Sequence, residues 1–475
     1  MKSRYTSKIL ALTLALAILF SLASCFNIMP PTPSPDGGEI ENTELGKELL
    51  LKRVDETLEN DTYKHSYVYQ YLSRWGLVDF DTYKFYQYEY IFSEYYNFGD
   101  GLPDTLTHSA DTVKYFVENF YDTVDFESEE KLTDALLKSY VSTVGDKYAF
   151  YRTAEEFEDF ETEMSGVFGG IGVLIEYDHT EGTLLVSQVY EGPAKEGGMK
   201  VGDYIVGVDG KTFEEMGGYQ NVIYFVRGEV GTDVTVTVDR DGQLIDITMT
   251  RALVENKSVT YELTDEGYGY IAISQFVDNT AEQFKEAVED LEDLGAVGYI
   301  FDVRTNGGGY VHSVVEILSY ILPSNKVIIS YQYKGDARRY YYTGEDKVPT
   351  DEDPDGRADH VIDLPIVVLC DEYTASAGEI FVACLRDYDG PVSDIIDVTI
   401  VGATTFGKGV MQGSISYTPD DSYVTLTVSY YNPPSGVNYH GIGITPDIIV
   451  ELTETEDTQY AEAIKQMELL LKSQQ

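Results

Sequence analysis

The residues of this sequence best suited to covalent chemistry are a serine set among small residues and a lysine set among glycines. Ser376 stands in Thr374-Ala375-Ser376-Ala377-Gly378-Glu379, after the apolar run LPIVVLC and before an apolar helical pattern. At a strand-to-helix turn of this kind a hydroxyl is exposed and the amides after it point forward, as a serine nucleophile and its oxyanion hole require. The same serine also suits a helix N-cap, where its side-chain oxygen would accept a backbone N–H. Lys408 stands in Thr405-Phe406-Gly407-Lys408-Gly409-Val410-Met411-Gln412, with no acidic residue inside the motif. Partial desolvation lowers an amine from its ordinary pKa of ~10.4 and makes it a usable base, whereas a fully exposed lysine would be only a solvated charge. The chain's overall negative charge acts the other way, but remote charges are screened over about 8 Å at physiological salt.

Two glycine runs supply candidate anion-binding amides. Phe301-Asp302-Val303-Arg304-Thr305-Asn306-Gly307-Gly308-Gly309 follows an apolar strand pattern, and glycines there let backbone N–H groups approach a substrate oxygen. A plain turn or a phosphate loop is the alternative, but the run lacks the Lys-Ser/Thr ending of a nucleotide P-loop. Phe168-Gly169-Gly170-Ile171-Gly172-Val173 precedes another strand pattern, and its free amides suit a peptide's terminal carboxylate.

These groups need elements to hold them. Residues 166–254 are rich in glycine and β-branched alternation (TLLVSQVY, DYIVGVDG, DVTVTVDRDGQLIDITMTR), with Asp-Gly turns at 209–210 and 241–242, which predicts a small β-rich module. From residue 255, strand-like GYIAISQF, helix-like AEQFKEAVEDLEDLG and strand-like VGYIFDVR alternate, followed by helices over Val311 to Ile321 and Ala377 to Leu385, and this alternation predicts an α/β core with a largely parallel sheet. Residues 334–360, containing DKVPTDEDPDGRADH, read as an exposed acidic loop; the strand VTLTVSYYNP and a helix from Asp457 to Leu471 follow. Before the β-rich module, residues 43–165 are acidic with apolar residues at helical spacing, which predicts an N-terminal helical region.

The first 25 residues carry Lys2, Arg4 and Lys8, an apolar run from Ile9 to Phe20, and small residues, the pattern of a secretory leader. Leu22-Ala23-Ser24-Cys25 resembles a bacterial lipobox, which makes Cys25 the expected lipidation site and the membrane an expected partner. The run is shorter than the ~20 residues of a spanning helix, the alternative reading. Residues 26–42 include the Pro-rich MPPTPSPDGG and read as an extended tether. The body of the protein is therefore expected outside the cytoplasm.

With 33 Lys and Arg against 82 Asp and Glu the net charge is −49, which argues against nucleic acid and anionic lipid as partners. The 40 Tyr and 20 Phe argue against disorder. Cys370 and Cys384 lie in apolar surroundings and read as buried free thiols, and no Cys/His spacing suggests a metal site. No cofactor is expected.

Taken in order, these segments resemble the carboxyl-terminal processing, or tail-specific, serine protease family. The resemblance runs from about Lys131 to Val450; it includes LTDALLKSYVSTVGDKYAFY, a PDZ-like module through Glu191-Gly192-Pro193-Ala194, Val226-Arg227-Gly228 and Arg251, and Gly441-Ile442-Gly443-Ile444-Thr445-Pro446-Asp447. It implies a crotonase- or Clp-like α/β core after the PDZ domain, with Ser376 as nucleophile, Lys408 as base, Gln412 orienting the lysine, and Ala377 and Gly308 as oxyanion donors. Gly307 stands where the family usually has Pro, and Gly378 where Ser is more usual. The resemblance also implies polypeptide substrates with free C-termini, held at Gly169, Gly170, Ile171, Gly172, Val173 and Arg227, and a homodimer. Two rival readings remain at this point: a catalytically inactive PDZ-bearing adaptor, and a hydrolase pairing Ser376 with His440, although Thr374 stands where the first Gly of G-x-S-x-G belongs.

Overall fold

The computed structural model describes residues 129–473 apart from 144, 179–182, 217, 335–337, 343–360, 391, 393–394, 418 and 454–455, together with Lys84, Tyr88, Tyr115, Glu118 and Asn119. The expected leader with Cys25, the tether, most of the N-terminal helical region and most of the acidic loop lie outside the described residues. No described helix is long and apolar enough to cross a membrane.

Two helices, α1 (Glu129–Thr143) and α2 (Ala154–Met164), flank the short strand β1 (Phe150–Arg152). The helical reading of this stretch did not include β1, because three residues carry no legible period; the strand exists through its antiparallel pairing with β18 (Ser422–Asn432). Thr153 caps α2 and closes a capping box with Glu156.

The β-rich module follows. β2 (Val167–Gly170) leads to β3 (Val173–Asp178), β4 (Thr183–Val189), the single turn α3 (Pro193–Glu196), β5 (Tyr204–Val208), β6 (Lys211–Thr212), α4 (Val222–Val226), β7 (Asp233–Arg240), β8 (Gln243–Thr250) and β9 (Ala252–Glu255). The main sheet runs β3-β4-β5-β7-β8 with β6 on β5, so β3 is an edge strand. Alternate residues of β7 point inward, and Val234, Val236 and Val238 pack with Ile205, Ile247 and Met249 in a core of the module's own. β2 and β9 pair antiparallel and close the entry to and exit from the module.

The larger core is built on a six-stranded sheet, β10 (Val259–Leu263), β11 (Gly269–Ile273), β12 (Tyr299–Asp302), β15 (Ile366–Cys370), β16 (Val398–Gly402) and β19 (Ile448–Ile449), in that spatial order. β10 is antiparallel to β11, and every other pairing is parallel, as the alternation of strand and helix predicted. α5 (Thr280–Asp293), α6 (Val311–Ile321) and α7 (Ala377–Tyr388) contribute to the apolar layer that includes Ile271, Phe301 and Val368. The other face is covered by α8 (Thr458–Ser473), whose Ala463 and Met467 meet Ile300, Val367 and Leu369. Burial on both faces is why β12 and β15 are apolar without alternation.

A second sheet carries β18 in its middle, with β1, β13 (Val327–Tyr333) and β17 (Val410–Tyr417) as neighbours and β14 (Arg338–Tyr342) beyond β13. The beginning of the stretch read as an acidic loop is thus the edge strand β14, held by pairs such as Tyr331 with Arg339. Cys370 and Cys384 are buried free thiols, as their surroundings implied. α7 runs past Leu385 to Tyr388, whose hydroxyl donates to the Val327 carbonyl at 2.8 Å.

Candidate active site

The turn between β15 and α7 is fixed by Asp371 and Thr374. The Asp371 carboxylate accepts the amides of Thr305 (2.9 Å), Tyr373 (3.0 Å) and Thr374 (3.0 Å), and the Thr374 hydroxyl donates to the Val303 carbonyl at 2.8 Å. Two loops at the C-terminal ends of neighbouring parallel strands are thereby laced together, at the place where open α/β sheets put their ligand crevices. Ser376 follows at the N-cap of α7 with φ 54° and ψ −117° and is half-buried. That backbone conformation favours glycine, so a serine there is held by its surroundings and stores roughly 1–3 kcal/mol of strain.

Gly308 faces the serine. Its φ is 110°, and a Cβ on it would lie 2.6 Å from the Ser376 Cβ and 3.1 Å from the Ala377 nitrogen, so only glycine lets the two loops approach this closely. The Gly308 amide donates to Asn306 Oδ1 at 2.9 Å. Asn306, fully buried, also donates from Nδ2 to the Ile273 carbonyl at 2.9 Å and accepts the Ala375 amide on its own carbonyl at 2.9 Å. The Ala377 amide has no acceptor among the described residues.

Glu379, one turn into α7, joins the serine to the lysine. It is fully buried and accepts the Ser376 amide (3.1 Å), the Thr405 hydroxyl (2.6 Å), the Gly407 amide (2.7 Å) and the Lys408 amide (2.7 Å). Burial pushes its carboxyl pKa up, and these four donors oppose that rise. Sequence alone shows no acid in the lysine motif; the fold brings one from a helix that precedes it in the chain.

The side chains sit as follows. The Ser376 Oγ lies 3.4 Å from the Tyr431 Oη, its only side-chain hydrogen-bond partner among the described residues. Tyr431 also donates to the Lys408 carbonyl. The Lys408 Nζ lies over the Tyr148 ring, 4.8 Å from its centroid. Gln412 reaches Thr427 Oγ1 at 3.4 Å and the Val410 carbonyl at 3.5 Å, long contacts that leave its amide easy to redirect. His440 accepts the Gly409 amide on Nδ1 at 3.2 Å, so the imidazole is neutral at that atom; burial first, then Lys147 and Lys408, hold its pKa below the usual value. The backbones of Ser376 and Lys408 are brought together at Glu379, while the lysine amine rests on Tyr148 and Gln412 on Thr427.

In the β-rich module, the Ile171 and Gly172 amides have no acceptor among the described residues, and they lie just before the free edge of β3. Gly169 abuts the loop after α4: a Cβ there would come within 1.9 Å of the Gly228 carbonyl oxygen. Arg251 ties that loop down, donating to the Phe225 and Val226 carbonyls at 2.8 and 2.9 Å. Arg227 lies 4.1 Å from the Phe168 ring centroid, with its Nε buried and unpaired among the described residues. Burial pulls the Arg227 pKa down while Glu163 of α2 raises it, so this arginine stands at the junction with α2.

Sequence reasoning missed Glu379, Tyr431, Tyr148 and Asn306 as partners of the site. Glu379 lay inside the serine motif, at a position where an acid reaches back to the cap, and Asn306 inside the glycine motif; Tyr148 and Tyr431 give no local signal.

Comparison with known proteins agrees with the order of these parts. Residues 267–450 match the model of peptidase family S41, and residues 169–250 match that of the PDZ domain. The carboxy-terminal processing protease CtpA of Bacillus subtilis (strain 168) is 30% identical over 368 residues, spanning 77% of this chain and 73% of that protein. A probable CtpA-like serine protease of Staphylococcus haemolyticus (strain JCSC1435) is 29% identical over 317 residues, 67% of this chain and 60% of that one. A photosystem II D1 C-terminal processing protease superposes with a TM-score of 0.39 at 24% identity, over 72% of this chain and 87% of that one. On its likeness to the Bacillus protein, with the two family models in sequence along one chain, this protein belongs to the PDZ-bearing carboxy-terminal processing serine proteases of peptidase family S41.

Proposed function

We propose that this protein is an endopeptidase that cleaves extracytoplasmic polypeptides recognised by their C-terminal tails, through a Ser376–Lys408 acyl-enzyme mechanism. The observation that carries the reading is the convergence of the Ser376 and Lys408 amides on one Glu379 carboxylate, beside an Ala377 amide with no acceptor.

In this reading the uncharged Lys408 amine leaves the Tyr148 ring and takes the Ser376 proton as Oγ attacks the scissile carbonyl. The tetrahedral oxyanion receives the Ala377 N–H. Gly308 supplies the second donor once its amide is released from Asn306, and Gln412, redirected from Thr427, orients the lysine. The Lys408 ammonium then protonates the leaving amine, the C–N bond breaks, and the acyl group remains on Oγ. Water gives a proton to Lys408, attacks the ester and releases the new C-terminus, and Ser376 recovers its proton. Upstream, the substrate's tail adds along the edge of β3, with its carboxylate on the amides from Gly169 to Val173 and Arg227 beside it.

The enzyme works outside the cytoplasm, tethered by a lipid on Cys25, and acts as a homodimer; the leader-like N-terminus supports the first part and the family the second.

The test is turnover of an unfolded polypeptide with a free C-terminus by the wild-type protein, Ser376→Ala and Lys408→Met. The reading requires cleavage that both substitutions abolish and that an amidated tail slows about tenfold. Undiminished cleavage by Lys408→Met would overturn the mechanism, and equal rates on free and amidated tails would overturn tail recognition.

A further inference from the structure

Two cationic side chains, one of them that of the proposed base, share one aromatic ring. Lys408 Nζ lies 4.8 Å from the centroid of Tyr148, and Lys147 Nζ lies 4.7 Å from the same centroid and 5.6 Å from that of Phe406. These distances bound the separation of the two ammonium groups at about 10 Å, near the ~8 Å Debye length of physiological salt.

We propose that Lys147 is a positioning residue for the reaction assigned above to Ser376 and Lys408, its charge favouring the uncharged Lys408 amine across the ring of Tyr148. The inference rests on that assignment.

Two opposed fields act on the Lys408 amine. A tyrosine face attracts an ammonium by roughly 0.5–2 kcal/mol, so Tyr148 alone would hold Lys408 in the charged form, which cannot take a proton from serine. A second cation on the same ring repels the first and shares its attraction. His440, Asp146, Glu379 and Tyr431 do not duplicate this effect. His440, in edge contact with Tyr148 at 6.3 Å between centroids, accepts the Gly409 amide and is neutral at that atom. Asp146 favours the charged amine, but its carboxylate is committed to the Thr427 amide at 2.8 Å and the Tyr148 amide at 3.0 Å. The Glu379 carboxylate likewise favours the cation and is occupied by backbone donors. Tyr431 donates to the Lys408 carbonyl. Lys147 is exposed, so its influence is salt-dependent, whereas a purely steric role would not be.

The test is the pH dependence of Ser376 acylation by a fluorophosphonate probe, measured on the full chain from about pH 6 to 10 at about 0.02 M and 0.5 M salt. At low salt Lys147→Met should move the midpoint up by roughly half a pH unit, Lys147→Glu by about one unit, and Lys147→Arg should match the wild type. At high salt the differences should shrink. Midpoints for Lys147→Met and Lys147→Glu that coincide with the wild type at low salt would overturn the proposal, as would an Arg variant that shifts as far as Met. Lys408→Met separates the two readings. If it is silent while the Lys147 variants leave the midpoint unmoved, only this inference falls; if it acylates with the wild-type midpoint, the Ser–Lys assignment falls first.

Discussion

The backbone amides of Ser376 and Lys408 end on the same carboxylate oxygen, Oε2 of Glu379, at 3.1 and 2.7 Å. The candidate nucleophile and the candidate base are therefore set by one buried carboxylate rather than by two independent loops. Glu379→Gln keeps the size of the side chain but turns an NH2 group toward the Ser376, Gly407 and Lys408 amides and the Thr405 hydroxyl, which donate to the carboxylate. Buried donors left unsatisfied cost about 1–3 kcal/mol each. The expected outcome is a clear fall in melting temperature and at least a tenfold slower probe acylation of Ser376, read by calorimetry and by gel. Unchanged acylation in the folded variant would show that the shared carboxylate does not align the pair.

Tyr431 offers a second check, because its hydroxyl approaches both Ser376 Oγ and the Lys408 carbonyl. Its single proton, given to the carbonyl, leaves the serine contact to the serine's own proton. Burial holds the Tyr431 pKa far above its usual value, which makes it a poor base at neutral pH. Tyr431→Phe should therefore slow acylation less than tenfold and cost about 1 kcal/mol of stability for the lost hydrogen bond. A loss as complete as that of Ser376→Ala would assign the proton transfer to the tyrosine instead.

The strained φ of Ser376 predicts a trade of activity for stability. Ser376→Gly removes the proposed nucleophile and also relieves a backbone conformation that only glycine adopts freely. It should unfold at a higher denaturant concentration than Ser376→Ala, by about 1 kcal/mol, with both variants inactive. Equal midpoints would mean that the turn carries no strain.

His440 makes stability depend on pH in a stated direction. Its folded pKa lies below the ordinary 6.5, chiefly through burial and then through Lys147 and Lys408. Between the folded and unfolded pKa values the unfolded chain binds more protons, so stability is intact above about pH 6.5 and is lost as pH falls below it. Thermal melts from pH 8 to 5 should show the wild type losing more than His440→Gln across that window. Parallel curves would remove His440 as the source.

Much of this architecture was legible in one dimension. Apolar runs without alternation signalled a sheet covered on both faces, since strands such as β12 and β15 have no solvent side to mark with polar residues. The small-residue turn at Ser376 after β15, and the glycine turns before β3 and after β12, were legible because turns and close backbone approaches demand particular residue types locally. The short strands β1 and β14 escaped notice: the three residues of β1 show no period and are held by β18, distant in the chain, while β14 pairs with the preceding β13 as a hairpin whose RRYYY run carries no apolar–polar alternation.

Which groups meet at the site was decided only by folding. Nothing near Lys408 in the chain foretells a carboxylate beneath its amide, a phenol at its carbonyl, or a ring shared with Lys147, since each comes from a different element. Nor does the glycine run reveal that Asn306 occupies the Gly308 amide. Residue type and spacing report what a segment can do by itself. Electrostatics and hydrogen bonding act through space, so the partners that set a serine's reactivity or a lysine's charge become known only when the chain has closed on itself.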